Sequence, residues 1–156
     1  MPKSLPFLLA ACLLSVAGAA SEDPAGPAAT VQRLFDAMSS HNAEAARSLF
    51  TPEAALIAVR ADGTAAVTPH EQWLSRLTAS KDQWLERMWN PKVLEHGSLA
   101  VVWADYDFHL NGKFSHCGVD SVDLLKTANG WKISGLSFTR ETSGCSPSPL
   151  GPPAKP

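Results

Sequence analysis

The sequence predicts an α+β domain in which helices come first and a long antiparallel meander follows. Three observations support this fold class. Apolar residues recur at helical spacing between Thr30 and Ser40, and the dipeptides Asn111-Gly112 and Asn129-Gly130 separate long β-type segments in the second half. The chain has 156 residues and shows no internal repeat. We therefore expect a single domain of that order.

The first twenty residues have the pattern of a signal peptide. Lys3 precedes an apolar run from Leu5 to Val16, and the small residues 17–20 suit a signal peptidase. Cleavage there predicts a secreted or periplasmic protein with no membrane contact after cleavage. An alternative is lipidation at Cys12, because Leu9-Ala10-Ala11-Cys12 also reads as a lipobox. Residues 21–28, rich in Pro, Ala and Gly, are expected to form a flexible lead.

The next segment predicts helices around a hairpin. Val31, Leu34, Phe35 and Met38 define one face of a first helix, with Thr30 as its N-cap. The later elements are a short helix over 43–50, a strand over 54–59, a turn at Asp62-Gly63, a strand over 64–67, and a third helix capped by Thr68 that runs to about Ala79.

The meander predicts four strands and a tail. The strands cover 84–96, with an interruption at Asn90-Pro91, then 99–110, 114–125 and 131–140. Residues 146–156 are rich in proline and are expected to be disordered.

Composition and cysteines limit the function classes. Lys and Arg number 13 against 15 Asp and Glu, with no basic block, so nucleic acid is not an expected partner. Cys12 leaves with the signal peptide, and Cys117 and Cys145 remain. In an oxidising compartment such a pair predicts a disulfide rather than metal ligands or a nucleophile.

A polar strip follows from the predicted turn. If Asn111-Gly112 is a two-residue loop, the facing pairs are His109 with Phe114, Asp107 with His116, Asp105 with Gly118, and Trp103 with Asp120. All would share one face of the sheet. Such a strip either is solvated or lies at a dimer interface, or it lines a pocket where carboxylate and imidazole exchange protons. Beside Asp107, His116 should have a raised pKa unless burial opposes it.

Two stretches carry a family resemblance. The octapeptide Val-Gln-Arg-Leu-Phe-Asp-Ala-Met (31–38), and the segment 116–125 followed by Asn-Gly-Trp-Lys-Ile (129–133), resemble the nuclear transport factor 2-like (NTF2-like) superfamily, which includes SnoaL-like and ketosteroid isomerase-like proteins. The resemblance implies a cone-shaped curved antiparallel sheet packed on three N-terminal helices, with the domain over 29–145. The superfamily includes isomerases, dehydratases, cyclases, hydrolases and binding domains, so the fold does not fix the function.

The resemblance also implies site residues. Asp120 matches the segment where ketosteroid isomerases carry the acid of their oxyanion hole, and Trp103, Asp107 and His116 would accompany it into the pocket. The tyrosine and the general-base aspartate of those enzymes have no counterpart, because Leu34 and the segment 56–59 stand in the matching places.

We therefore expect an exported domain that binds a small apolar or aromatic molecule without robust catalysis, with no cofactor and no metal. The alternatives are an acid–base lyase or isomerase, and a homodimerisation module with a filled pocket. The candidate catalytic residues are Asp107, His116 and Asp120, and the candidate ligand-binding residues are Trp103, Asp105, His109 and Trp131.

Overall fold

The computed structural model describes residues 25–153. The predicted signal peptide and Cys12 lie outside the described residues. The elements are the helices α1 (Pro27–Ser39), α2 (Ala43–Arg47) and α3 (His70–Ala79), and the strands β1 (Phe50–Arg60), β2 (Ala65–Pro69), β3 (Trp84–His96), β4 (Leu99–Leu110), β5 (Lys113–Thr127) and β6 (Gly130–Arg140).

Six strands form one sheet in the order β2-β1-β6-β5-β4-β3. The α+β class is confirmed, but the sheet is mixed because β1 runs parallel to β6. All other neighbouring strands are antiparallel. The helices cover the concave face, where the core lies. In the part of the chain that the structure describes, no helix is long and apolar enough to cross a membrane.

The first helix has the predicted apolar face and an earlier start. Val31, Leu34 and Phe35 are almost completely buried, which anchors α1 on the sheet. Thr30 is not the N-cap: α1 begins at Pro27, and the Thr30 hydroxyl donates to the carbonyl of Gly26 inside the first turn. Proline suits that first position because its missing N–H has no helical partner there.

Two other boundaries differ from prediction. The second helix ends at Arg47, and Phe50 already belongs to β1. Pro52 is tolerated in that strand because the regular pairing of β1 with either neighbour resumes only at Ala55. Thr68 lies in β2 rather than capping α3, which begins at His70.

The Asn111-Gly112 turn is confirmed, but the register predicted from it is wrong beyond the first two pairs. Both residues have positive φ, 51° and 73°, as a two-residue hairpin of this kind requires. Leu110 then faces Lys113, and His109 faces Phe114. Next comes a β-bulge, because Ser115 is an extra residue in β5. From there Phe108 faces His116 and Asp107 faces Cys117.

This slip separates the predicted polar strip into two groups. A shift of one residue moves every later side chain to the opposite face of the sheet. Trp103, Asp105, Asp107 and His109 of β4 lie on the convex face, whereas His116 and Asp120 of β5 lie on the concave face with Tyr106 and Phe108. Cys117 and Val119 of β5 pair with Asp107 and Asp105 and also lie on the convex face.

The C-terminal segment is fixed to the convex face. The predicted disulfide between Cys117 and Cys145 is confirmed, and Cys117 also pairs with Glu141 through two backbone hydrogen bonds. Farther on, Arg87 donates from Nη1 to the carbonyl of Gly151. The disorder expected for residues 146–156 stays a prediction.

Candidate functional site

A cavity of about 560 Å³ lies between the helices and the concave face of the sheet. Its wall is mostly apolar and aromatic, because α1, α3 and alternate residues of the strands turn large side chains inward. These residues are Leu34, Phe35, Met38, Leu56, Trp73, Trp84, Phe108, Leu110, Leu136 and Phe138. Its volume falls in the range of small-molecule sites.

A few polar side chains interrupt this wall. Glu86, Tyr106 and His116 come from β3, β4 and β5, and three arginines, Arg60, Arg76 and Arg140, also line the cavity. Glu86 and His116 both pair with Phe108, one from each side. The sheet therefore holds a carboxyl group and an imidazole on opposite sides of one aromatic ring.

Glu86 and Asp120 form an acid pair, in which Glu86 is half-buried and Asp120 is buried. Asp120 is 1% exposed, and among the described residues no N–H or O–H group donates to its carboxyl oxygens. The Glu86 carboxyl lies near enough for the charge of Asp120 to act on it. Two carboxylates that close in a poorly solvated site repel each other, so the pair favours a state in which one group carries a proton.

Burial is the main cause of that protonation. It raises the pKa of Glu86 well above its usual range, and the negative charge of Asp120 raises it further. Burial likewise raises the pKa of Asp120 to about 7, although the neighbouring Glu86 carboxyl opposes the rise. The pair titrates as one unit and keeps a proton near neutral pH. Glu86 lines the cavity, and Asp120 supports it from behind.

His116 is a neutral imidazole at this wall. Its ring lies between Tyr106 and Phe108, with centroids 5.8 Å and 5.0 Å away, and its Nδ1 is 3.0 Å from the Ser115 hydroxyl. Burial, and then the charge of Arg140, lower its pKa to about 4. The expected rise beside Asp107 is therefore wrong, because the bulge removes that neighbour.

Tyr106 has a structural hydrogen bond. Its hydroxyl donates to the carbonyl of Thr139 at 2.7 Å, and burial raises its pKa. The hydroxyl proton is thus committed to the backbone of β6. Tyr106 holds the ring that packs on His116 and does not offer a free acid.

Asp107 belongs to a separate ion pair on the convex face. Arg87 donates from Nε to Asp107 Oδ1 at 2.9 Å, and from Nη2 to Oδ2. Burial would raise the pKa of Asp107, but these hydrogen bonds outweigh it, so the pKa is lowered. His109 Nε2 lies 3.4 Å from Asp107 Oδ2, and neither ring nitrogen of this buried imidazole makes a hydrogen bond within residues 25–153. The bidentate geometry indicates a structural role.

The structure places the other predicted ligand-binding residues away from the cavity. Trp103 is 52% exposed on the convex face, beside the exposed Asp105. Trp131 is buried in the core, and the Lys126 ammonium group lies 5.4 Å from its ring centroid. Of the seven predicted catalytic and ligand-binding residues, only His116 lines the cavity. Asp120 and Trp131 are buried on the concave side without lining it. Within residues 25–153, no group of three or more His, Cys, Asp or Glu side chains is arranged to hold a metal.

Sequence reasoning missed Glu86. The available signal was the alternation Trp84, Glu86, Met88, which places a carboxylate between two large apolar side chains on one face of a strand. The register of β3 on β4 turns that face inward. An acid on an apolar strand face is the pattern that would have found it.

No protein-family model matches the sequence, and no curated protein matches it significantly. Solved structures do resemble it. An NTF2-like superfamily protein from Salmonella enterica is 16% identical over 75% of this chain and 89% of its own, with a TM-score of 0.58. A provisionally named dehydratase of the NTF2-like family from Streptomyces avermitilis is 15% identical over 74% and 94%, with a TM-score of 0.60.

A third similar structure, from Nostoc punctiforme, is a protein of unknown function with a cystatin-like fold. It is 13% identical over 79% of this chain and 91% of its own, with a TM-score of 0.59. At these identities the likeness concerns the fold alone.

Proposed function

We propose that this chain, which has the NTF2-like fold, binds a small, largely apolar molecule in the cavity. The observation that carries the proposal is a cavity of about 560 Å³ with an aromatic wall and a carboxyl group, that of Glu86, whose pKa burial raises. Apolar sites with a few convergent polar groups are the usual form of small-molecule sites.

The wall supports an aromatic or alicyclic ligand. Trp73 and Trp84 stand at 54° to each other with centroids 6.5 Å apart, and Phe108 meets Trp84 edge-on. Such rings provide large apolar surfaces in fixed orientations. A flat hydrophobic body can lie against them without reorganising the wall.

The acid pair supports a ligand with a hydrogen-bond acceptor. A protonated Glu86 can donate to a carbonyl or ether oxygen, whereas an ionised carboxylate could only accept. The neutral His116 offers a second polar contact in the same cavity. A ligand with one oxygen on a flat body would satisfy both kinds of surface.

Fluorescence of the neutral probe N-phenyl-1-naphthylamine tests the proposal. Ala58 lines the cavity, so Ala58→Trp should fill part of it and weaken probe binding at least tenfold. The matched control is Val67→Trp on the neighbouring strand, where the side chain is 64% exposed; it should bind as the wild type does. Equal loss in both variants, or no binding to the wild type, would refute the proposal.

A second candidate is an acid–base enzyme, an isomerase or a lyase. The acid pair favours it, because a carboxyl kept protonated near neutral pH can serve as a general acid while a neutral imidazole serves as a base. In that role His116 would remove a proton next to a carbonyl, and Glu86 would protonate the oxygen. In this candidate Glu86 takes the role predicted for Asp107, because Glu86 lines the cavity and Asp107 does not.

Hydrogen–deuterium exchange tests this candidate without knowledge of the substrate. 1-Tetralone in D₂O exchanges its α-protons slowly, and mass spectrometry follows the exchange. An enzyme would accelerate it, and both His116→Gln and Glu86→Gln would remove the acceleration while keeping the protein folded. If the wild type exchanges the protons only at the buffer rate, the enzyme candidate is refuted and the binding function remains.

We also propose that the domain works outside the cytoplasm. The signal peptide pattern and the disulfide support this location. The intact mass of the exported protein should correspond to a start at Ala20 or Ser21 and to one disulfide. A retained N-terminus or two free thiols would contradict it.

A further inference from the structure

We propose that the ligand is an amphipathic organic acid, whose carboxylate binds between Arg60 and Arg140 at the cavity rim while its apolar body lies inside. This inference rests on the proposed binding function and names its ligand class. It starts from two arginines that are not part of the hydrophobic core.

The two arginines are direct neighbours in the sheet. Arg60 at the end of β1 pairs with Arg140 at the end of β6, and neighbouring strands are about 4.8 Å apart. Directly paired residues point to the same face, and both side chains line the cavity. Both are exposed, so they stand at the rim rather than in the apolar interior.

Neither arginine makes an ion pair with any residue in 25–153. Arg60 donates one long hydrogen bond, 3.3 Å, from Nη1 to the Thr64 hydroxyl. In contrast, Arg47 and Arg87 make bidentate contacts with Glu71 and Asp107. The guanidinium groups at the rim therefore retain most of their donors.

The nearby carboxylates are engaged elsewhere. Asp62 accepts from the backbone and the hydroxyl of Thr64, and Asp82 accepts from the Asn111 amide. Burial raises the pKa of Glu86 well above its usual range. Glu141 follows Arg140 in the chain but forms no ion pair within the described part. No carboxylate within residues 25–153 therefore makes a salt bridge with either guanidinium group of the Arg60–Arg140 pair.

A bound carboxylate would offset the repulsion between the two guanidinium groups. Like charges directly opposite each other in a sheet are destabilising. A guanidinium pair offers parallel N–H donors that match both oxygens of a carboxylate. The apolar wall begins at Phe138, two residues before Arg140 on the same face of β6, so an acid held at the rim would have its hydrophobic body directed inward.

Displacement of the neutral probe tests the inference. The competitors are 2-naphthoate and its neutral methyl ester, which share one ring system. At pH 7.5 the acid should displace the probe at least tenfold more effectively than the ester. Arg60→Gln and Arg140→Gln should each lower this preference toward one without weakening the probe itself. Lys113→Gln, an equal charge change at the remote hairpin, should leave it intact.

Further arms separate the possible failures. Acetate and inorganic phosphate should not displace the probe, and displacement by either would show a free-anion site and overturn the amphipathic ligand. Equal displacement by acid and ester, or a preference that survives both arginine substitutions, would also overturn it. If the wild type does not bind the probe, calorimetry with 2-naphthoate replaces the displacement assay. Absence of binding heat would refute the proposed function and this inference together. Binding heat that is lost in the arginine variants would support the acid site alone.

Discussion

Substitution of Asp120 by Asn tests whether the acid pair holds a proton. Asp120→Asn keeps the size of the side chain and removes its ionisation. In the wild type, burial raises the pKa of Asp120 from its ordinary 3.8 to about 7. The folded state therefore binds this proton more tightly than the unfolded state does. Its contribution to stability is complete below about pH 3.8 and is lost as pH rises through the folded pKa.

The size of the effect follows from the shift. One pKa unit corresponds to about 1.4 kcal/mol, so the full rise is worth about 4 kcal/mol, and the part between pH 5 and pH 8 about 3 kcal/mol. His116 works in the opposite direction, because its pKa is lowered and its contribution is lost as pH falls from about 6.5 toward 4. Comparing the two proteins at each pH cancels His116, which both contain.

Urea denaturation at pH 5 and pH 8 measures the difference at constant ionic strength. Relative to the wild type, Asp120→Asn should gain about 3 kcal/mol of unfolding free energy from the lower to the higher pH. Asp123→Asn is the matched control, an exposed carboxylate on the same strand, and its difference from the wild type should stay constant. Parallel pH curves for the Asp120→Asn variant and the wild type would refute the protonated pair.

Three further predictions concern the scaffold around the cavity. Asp107→Asn should lower the unfolding free energy by about 2 kcal/mol, because it breaks the bidentate contact with Arg87, and it should leave probe binding unchanged. Weakened probe binding by a folded variant would contradict the position of Asp107 on the convex face. Gly118→Ala should lower the unfolding free energy by about 2 kcal/mol, because the new Cβ would lie 2.2 Å from the Thr139 carbonyl oxygen. Gly135→Ala is the control, and it should lower the unfolding free energy much less because its Cβ meets only an atom at 3.8 Å. Equal losses in the two variants would refute the steric argument. Replacing Cys117 and Cys145 with serine should lower the unfolding free energy by about 3 kcal/mol, and an unchanged denaturation midpoint would contradict a stabilising disulfide.

The strands were predictable where the turns determine them. Asn111 and Gly112 adopt the positive φ that their residue types favour, so both the hairpin and its first two pairs follow from local chemistry. The same holds for the first helix, whose apolar spacing matches its buried face. The parallel pairing of β1 with β6 joins residues some eighty positions apart, and no local pattern encodes it.

The candidate site was only partly predictable because one residue decided it. Ser115 forms a bulge without glycine or any other special residue type, so the register of β5 could not be read from the turn alone. That extra residue places His116 and Asp120 on the concave face, where His116 lines the cavity, and leaves Asp107 on the convex face. Glu86 could not be paired with Asp120 from sequence, because β3 and β5 are not neighbouring strands.

The indole N–H resonances test most directly whether ligand binds in the cavity or on the convex face. The chain has five tryptophans. Trp73 and Trp84 line the cavity, Trp103 lies exposed on the convex face, Trp131 is buried in the core, and Trp89 pairs with Asp105 of the convex face. In a ¹H–¹⁵N NMR titration with 2-naphthoate, Trp73 and Trp84 should shift together and saturably, while Trp103 and Trp131 stay in place. Shifts at Trp103 with Trp73 and Trp84 unmoved would contradict the cavity as the binding site.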